Sequence, residues 1–252
     1  MAQRKVIPVS VLTGFLGAGK TTLLNYILKE QTDYRFGIII NEVGEIGIDG
    51  KLVEAQAENI VEMSNGCICC TVRKDLVKGI QKLLKRDDLD YVLIETTGVA
   101  DPGPVAQTFL NIPQLQQLAR LDSIITVVDA EHLESHLREA EVAREQIALA
   151  DFVVLNKVDL ISPEKLLLLE NIILGLNPQA RIFRTVHSRV NLGELLDVNA
   201  FDLDRRLIAD PKFLDELKER YHSDISSFSF RFDQPFAMER LEAELRELSE
   251  KA

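Results

Sequence analysis

Between an apolar run, Val6–Leu12, and a helical pattern from about Lys20 to Glu30 stands Gly14-Phe15-Leu16-Gly17-Ala18-Gly19-Lys20-Thr21. The segment fits G-x-x-x-x-G-K-[ST] at every fixed position and sits in the strand–loop–helix setting that this motif requires. Glycines let the backbone curl so that several N–H groups face one phosphate, and the helix N-terminus adds a favourable dipole. Lys20 supplies positive charge toward the β- and γ-phosphates, and Thr21 offers its hydroxyl to Mg²⁺. A structural glycine turn is the alternative reading.

The rest of the chain is organised around that unit. Short Val- and Ile-rich runs alternate with longer helical patterns, as βαβ units in a mostly parallel sheet do. Strands are expected at Val6–Leu12, Phe36–Ile40, Tyr91–Ile94, Ile124–Val128, Phe152–Leu155 and Ile182–Val186, with short strands over 51–63. Helices are expected near 20–30, 71–85, 131–149 and 163–174; Ser162-Pro163 reads as an N-cap and first helical position. After residue 200 the pattern changes to a helix over 211–220, a strand over 225–232 and an amphipathic helix over 238–248. The expected architecture is a three-layer α/β P-loop NTPase domain over residues 1–200. A linker and a partial C-terminal βα extension follow over 201–252.

Charge and cysteine content narrow the function classes. The 29 Lys and Arg against 40 Asp and Glu leave a net charge of −11, which offers no basic surplus for a nucleic-acid backbone. The longest apolar stretch, Leu166–Leu176, is interrupted by Glu170 and Asn171 and is too short to span a bilayer. The N-terminus lacks the pattern of a signal peptide. No membrane association is expected. All three cysteines lie within Cys67-Ile68-Cys69-Cys70, which cannot make a disulfide framework and fits a reduced, cytoplasmic compartment.

Asn156-Lys157-Val158-Asp159 follows the strand run FVVL. The Asp159 carboxylate can accept from guanine N1–H and from the exocyclic amine, a pairing adenine lacks, which favours GTP over ATP. Asn156 is placed to hold either the loop or the base edge, and the Lys157 stem to lie along the base. His187-Ser188 occupies the place of a second base contact or of a plain loop. Glu95-Thr96-Thr97-Gly98 follows YVLI, where a carboxylate orients magnesium or its water. Gly98 is a candidate to turn its N–H toward a γ-phosphate, with Val99–Val105 as a switch. Glu42 and Glu45 are candidates for magnesium, for orienting water or for facing a metal at the cysteines; a solvated acidic loop is the alternative. Asp129 reads as an N-cap or sheet-end residue.

The cysteine turn places three soft ligands together, which favours zinc, copper(I) or a similar ion and leaves one tetrahedral position open. An incomplete site suits transfer better than storage. His132 and His136, four apart on an expected helix, sit among charges and read as an exposed face.

Taken together, VSVLTGFLGAGKTTLLNYIL, NEVGEIGID, NGCICCTVR, ETTGVADPGPV and NKVDL, in that order, resemble the CobW-type GTPases, a metallochaperone branch of the P-loop GTPases. The resemblance covers about residues 5–200. It implies a GTP·Mg²⁺ site from Gly14, Gly17, Ala18, Gly19, Lys20, Thr21 and Thr22 with Gly98, Asn156, Lys157 and Asp159. It implies metal at Cys67, Cys69 and Cys70, with Zn²⁺ as cargo and Co²⁺ in some subgroups. Lys20, Thr21, Glu42 and Glu95 are the expected catalytic residues, Thr21 and Glu95 the magnesium ligands, and the intrinsic GTPase rate is expected to be low. Implied partners are GTP and GDP, the metal ion, a recipient metalloprotein and a nucleotide-dependent second copy. Family members carry a complete C-terminal domain; this chain is expected to hold only its opening strand and helix. The alternatives are a metal sensor or store that uses GTP as a conformational ligand, and an ATP-dependent P-loop kinase.

Overall fold

The computed structural model describes residues 5–42, 60–64 and 70–203. Among these residues seven strands form one sheet: β1 (Ile7–Thr13), β2 (Phe36–Glu42), β3 (Ile60–Ser64), β4 (Tyr91–Glu95), β5 (Ala119–Asp129), β6 (Phe152–Asn156) and β7 (Arg181–Arg184). Their order is β3-β2-β4-β1-β5-β6-β7, and every neighbouring pair is parallel. The helices are α1 (Lys20–Glu30), α2 (Cys70–Leu84), α3 (Gly103–Asn111), α4 (Pro113–Gln116), α5 (Leu133–Glu139), α6 (Glu141–Ala148) and α7 (Pro163–Leu176).

The uninterrupted apolar strands follow from burial on both sheet faces. Leu12, Ile38, Ile40, Leu93, Ile125, Val127 and Val154 pack against Leu23, Leu24 and Ile27 of α1. The alternate residues Val9, Val11, Ile39, Val92, Ile94 and Ile124 meet α2 and α3 on the other face. Further along that face, Val128, Val153 and Leu155 meet α5, α6 and α7. This is the expected three-layer arrangement. Leu23, Leu24 and Ile27 are fully buried, each contributing about 2 kcal/mol relative to exposure.

Several boundaries differ from the sequence reading. The single helical region expected at 131–149 is two helices, because Ala140 is extended at φ −139 and ψ 117. The break re-phases the chain so that Val142, Ala143, Gln146 and Ile147 reach the core while Arg144 stays outside. The expected switch Val99–Val105 is non-helical only to Pro102; from Gly103 it is α3, whose entry is fixed by Gly103 N–H donating to Asp101 Oδ1 at 2.8 Å.

β5 begins at Ala119, earlier than expected, because its polar residues are satisfied. Buried Asp122 accepts from Tyr91 Oη at 2.7 Å, Arg120 Nη1 at 2.7 Å and Asn199 N at 2.7 Å. Arg120 also pairs with Asp197, which binds the segment after β7 to the start of the sheet. Of the short strands expected over 51–63, β3 is described. The helix, strand and helix expected over 211–220, 225–232 and 238–248 lie outside the described residues. No described helix is long and apolar enough to cross a membrane.

Candidate functional site

Because all seven strands run the same way, the loops after β1, β4 and β6 leave one edge of the sheet together, where ligands of open α/β sheets bind. The phosphate loop is locked there by two close approaches. Gly14 has φ 135, and a Cβ on it would stand 2.1 Å from Val127 O. Gly19 has φ 110, and its Cβ would meet Asn156 Nδ2 at 2.5 Å. Gly17 is also left-handed, at φ 72. No side chain among the described residues caps α1, so the N–H groups of its first turn face the loop, an arrangement suited to an anion. Lys20 is buried and its Nζ donates to Phe15 O at 3.3 Å. Ala18 is buried, and Thr22 is exposed on the first turn.

Thr21 Oγ1 donates to Glu95 Oε1 at 3.0 Å, joining α1 to the end of β4. Glu95 is 2% exposed. A hydroxyl and a carboxylate held together at the sheet edge are the hard oxygen donors Mg²⁺ takes, so the residues fit that ion. Thr96 Oγ1 donates to Thr13 Oγ1 at 2.9 Å, and a Cβ on Gly98 would lie 2.7 Å from Leu16 N. The β4–α3 loop therefore packs directly on the phosphate loop.

Asn156 holds the loop. Its amide nitrogen donates to Ala18 O at 3.0 Å; its oxygen accepts from Ser188 N at 2.8 Å and Thr185 Oγ1 at 3.2 Å. Ser188, fully buried, also donates through Oγ to Gly19 O at 3.1 Å. The loops after β1, β6 and β7 thus share one hydrogen-bonded knot. Lys157 adopts φ 61, and Asp159 is exposed in the 3-10 turn Val158–Leu160.

Asp129 does more than end its strand. It accepts from Glu131 N at 2.9 Å, from His132 and, at 2.6 Å, from Lys157 Nζ. Burial raises the Asp129 pKa, but the hydrogen bonds from Lys157 and His132 outweigh it and hold the carboxyl below its ordinary value of 3.8. Its stabilising contribution is complete above 3.8 and is lost as pH falls through the lowered folded value. Acid unfolding of Asp129→Asn, followed by circular dichroism below pH 4, is therefore expected to show a shallower pH dependence than the unsubstituted protein. Identical acid limbs would remove Asp129 from the account.

His132 and His136 stack with ring centroids 6.0 Å apart, and His136 lies 4.3 Å from the ring of Phe15 in the phosphate loop. Burial lowers the His136 pKa. The pair is thus partly a prop for the loop rather than only a charged surface. Asp129, Glu131 and His132 gather ligand atoms within 4.8 Å, but Lys157 already engages Asp129.

Glu42 ends β2 opposite Ser64 of β3. Cys70 opens α2, while Glu45, Cys67 and Cys69 lie outside the described residues.

The profile of the CobW/HypB/UreG nucleotide-binding domain matches residues 8–184, from β1 to the last residue of β7. The chain belongs to the CobW/HypB/UreG family. It is similar to zinc-regulated GTPase metalloprotein activator 1 of Dictyostelium discoideum, 37% identical over 93% of this chain and 58% of that protein. It is 36% identical to zinc chaperone YjiA of Escherichia coli over 91% of this chain and 73% of the relative. The crystal structure of Zn(II)-bound YjiA GTPase from E. coli superposes with a TM-score of 0.60 at 31% identity, covering 90% of this chain and 67% of that one. The chain spans between half and three-quarters of the length of such curated relatives. Within the matched CobW/HypB/UreG region lie the phosphate loop, Glu95, the cysteine turn and the Asn156–Asp159 loop.

Proposed function

We propose that this chain is the nucleotide-binding part of a GTP-hydrolysing metallochaperone that carries zinc, with cobalt as the related alternative, on Cys67, Cys69 and Cys70. The observation that carries the reading is the register of the sheet. Ile40 of β2 pairs with Glu95 on one side and Glu62 on the other, so Ser64 lies two residues beyond the level of Glu95. β3 therefore ends at the edge that holds the phosphate loop, two strands or about 10 Å from the Glu95 strand, and the cysteines follow it in sequence. Zinc in the names of the relatives agrees with a soft thiolate donor set.

In this reading residues 1–200 form the GTPase unit and 201–252 begin a further region. Asp159 selects guanine while Asn156 holds its loop against Ala18. Lys20 and the N–H groups of the first turn of α1 neutralise and orient the phosphates. Thr21 and Glu95 hold Mg²⁺, which when bound supplies further charge neutralisation at the β- and γ-phosphates. Glu42 stands at the end of β2, toward both the nucleotide edge and the cysteine connection. Gly98 senses the γ-phosphate, the backbone through 102 moves with it, and the geometry of the thiolates follows. Hydrolysis by water resets the cycle, slowly in the absence of a second copy or a recipient metalloprotein. The reading places this activity in the cytoplasm.

Zinc titration of the reduced protein, with and without a non-hydrolysable GTP analogue, tests the coupling. The expected result is a nucleotide-dependent shift of about 10-fold in zinc affinity, within the usual range of coupling energies. That shift should vanish when Cys67, Cys69 and Cys70 are replaced by serine. Tight zinc binding indifferent to nucleotide would overturn the coupling.

A further inference from the structure

The function proposed above requires the β4–α3 loop to have a defined arrangement that nucleotide can alter. One side chain from a distant element holds that loop. Gln146 of α6 is 1% exposed, and its Nε2 donates to Gly98 O at 3.3 Å and to Ala100 O at 3.0 Å. Its own backbone oxygen accepts from Thr126 Oγ1 at 2.6 Å, which fastens this turn of α6 to β5. Gln146 is therefore a buried bridge, its backbone oxygen tied to β5 and its side-chain amide to two carbonyls of one turn of the loop.

Its surroundings tie it to the phosphate loop as well. A small cavity, about 10 Å³ in volume, lies between Gln146, His136 and Phe15. Gly98 is gripped from two directions: its carbonyl faces Gln146, and its α-carbon abuts Leu16, where an added Cβ would lie 2.6 Å from Leu16 Cδ2. In the same loop Thr97 Oγ1 is buried with no hydrogen-bond partner among the described residues.

We propose that Gln146 is a positioning residue for the γ-phosphate response: its amide holds Gly98 and Ala100 in register with the phosphate loop, so that GTP and GDP are told apart. This rests on the GTPase reading above. Gln146 touches neither substrate nor magnesium in this scheme; it acts through the backbone it holds. Two carbonyls share one donor group, so loss of that group releases both at once.

The experiment compares the unsubstituted protein with Gln146→Met, which keeps volume and removes the donor, and with Thr126→Val as a structural control. Should the methionine variant not fold, Gln146→Asn, one methylene shorter, reads the same loss of reach. Three quantities are measured: the affinity ratio of a non-hydrolysable GTP analogue to GDP, kcat and KM for phosphate release, and amide hydrogen exchange over 98–102. In Gln146→Met the affinity ratio and kcat are each expected to fall about 10-fold, with GDP affinity within about 2-fold and KM rising in step with the lost GTP affinity, as for loss of a buried hydrogen-bond pair. Exchange over 98–102 should rise in the same variant. Thr126→Val, which loosens the anchor of α6 but keeps the amide, should lower thermal stability and change the ratio less than Gln146→Met does. Unchanged ratio, kcat and exchange in Gln146→Met would overturn the role of Gln146 while the GTPase stands. No phosphate release from GTP by the unsubstituted protein would instead overturn the GTPase reading, and the positioning role with it.

Discussion

Asp159→Asn protein is expected to lose about 100-fold or more in GTP affinity while keeping its fold, since two hydrogen bonds to a charged acceptor contribute about 3 kcal/mol or more together. The side chain is exposed at a 3-10 turn, so its replacement disturbs no core contact. The turn itself is set by backbone: Lys157 at φ 61, Val158 N donating to Thr185 O, and Leu160 N donating to Lys157 O. An asparagine there presents a donor to guanine's own N–H groups, which is repulsive. It matches xanthine, whose C2 carbonyl replaces the amine. Competition binding with GTP, ATP and xanthosine triphosphate measures the change, and the variant should prefer the xanthine nucleotide. Equal GTP affinity in the two proteins would show that Asp159 does not read the base.

Asp122→Ala should produce the largest loss of stability, about 3–5 kcal/mol, the usual consequence of stripping one partner from a buried, hydrogen-bonded charge pair. Asp122 is wholly buried and serves Arg120, Tyr91 and the backbone N–H groups of Val198 and Asn199. Its removal leaves the Tyr91 hydroxyl with Ser10 as its remaining side-chain partner and frees the 197–199 segment. Both Asp197 and Asn199 hold left-handed backbone, at φ 55 and φ 51, and that conformation is kept by these contacts. Urea unfolding would show a lower midpoint. Nucleotide affinity of the folded fraction should be preserved, because Asp122 pairs near the start of the strands while the nucleotide loops leave their far ends. A midpoint within experimental error of the original would mean the network contributes little.

These two positions differ in how far the sequence announces them. Asp159 is legible as a candidate because base recognition calls for a carboxylate at a fixed distance along the chain from a strand end, and Asn156-Lys157-Val158-Asp159 offers one. Asp122 sits inside a strand whose apolar run begins at Ile124, so it reads as an edge until Tyr91 and Asn199 are brought to it. Gln146 carried no signal at all: a glutamine on a helix is ordinary until two carbonyls from the β4–α3 loop converge on it. The helix break at Ala140 escaped for a related reason. Alanine has no preference for extended backbone, and only the sheet decides which residues of 141–148 must face inward.

The order of residues alone determined what depends on local chemistry: a strand, a glycine loop closing on Lys20 and Thr21, a carboxylate at Glu95, three thiols in four residues, and the alternation that builds a parallel α/β sheet. Tertiary structure decided which groups at distant points in the chain hold one another. Asn156 ties the loop at 14–19 to the one at 185–188, Asp129 restrains Lys157, and Gln146 secures Gly98 and Ala100. The reason is one of range. Local propensity and motif spacing act over a few residues, whereas a hydrogen bond between buried groups exists only once the sheet has fixed the order β3-β2-β4-β1-β5-β6-β7 and turned both partners toward the same few ångströms.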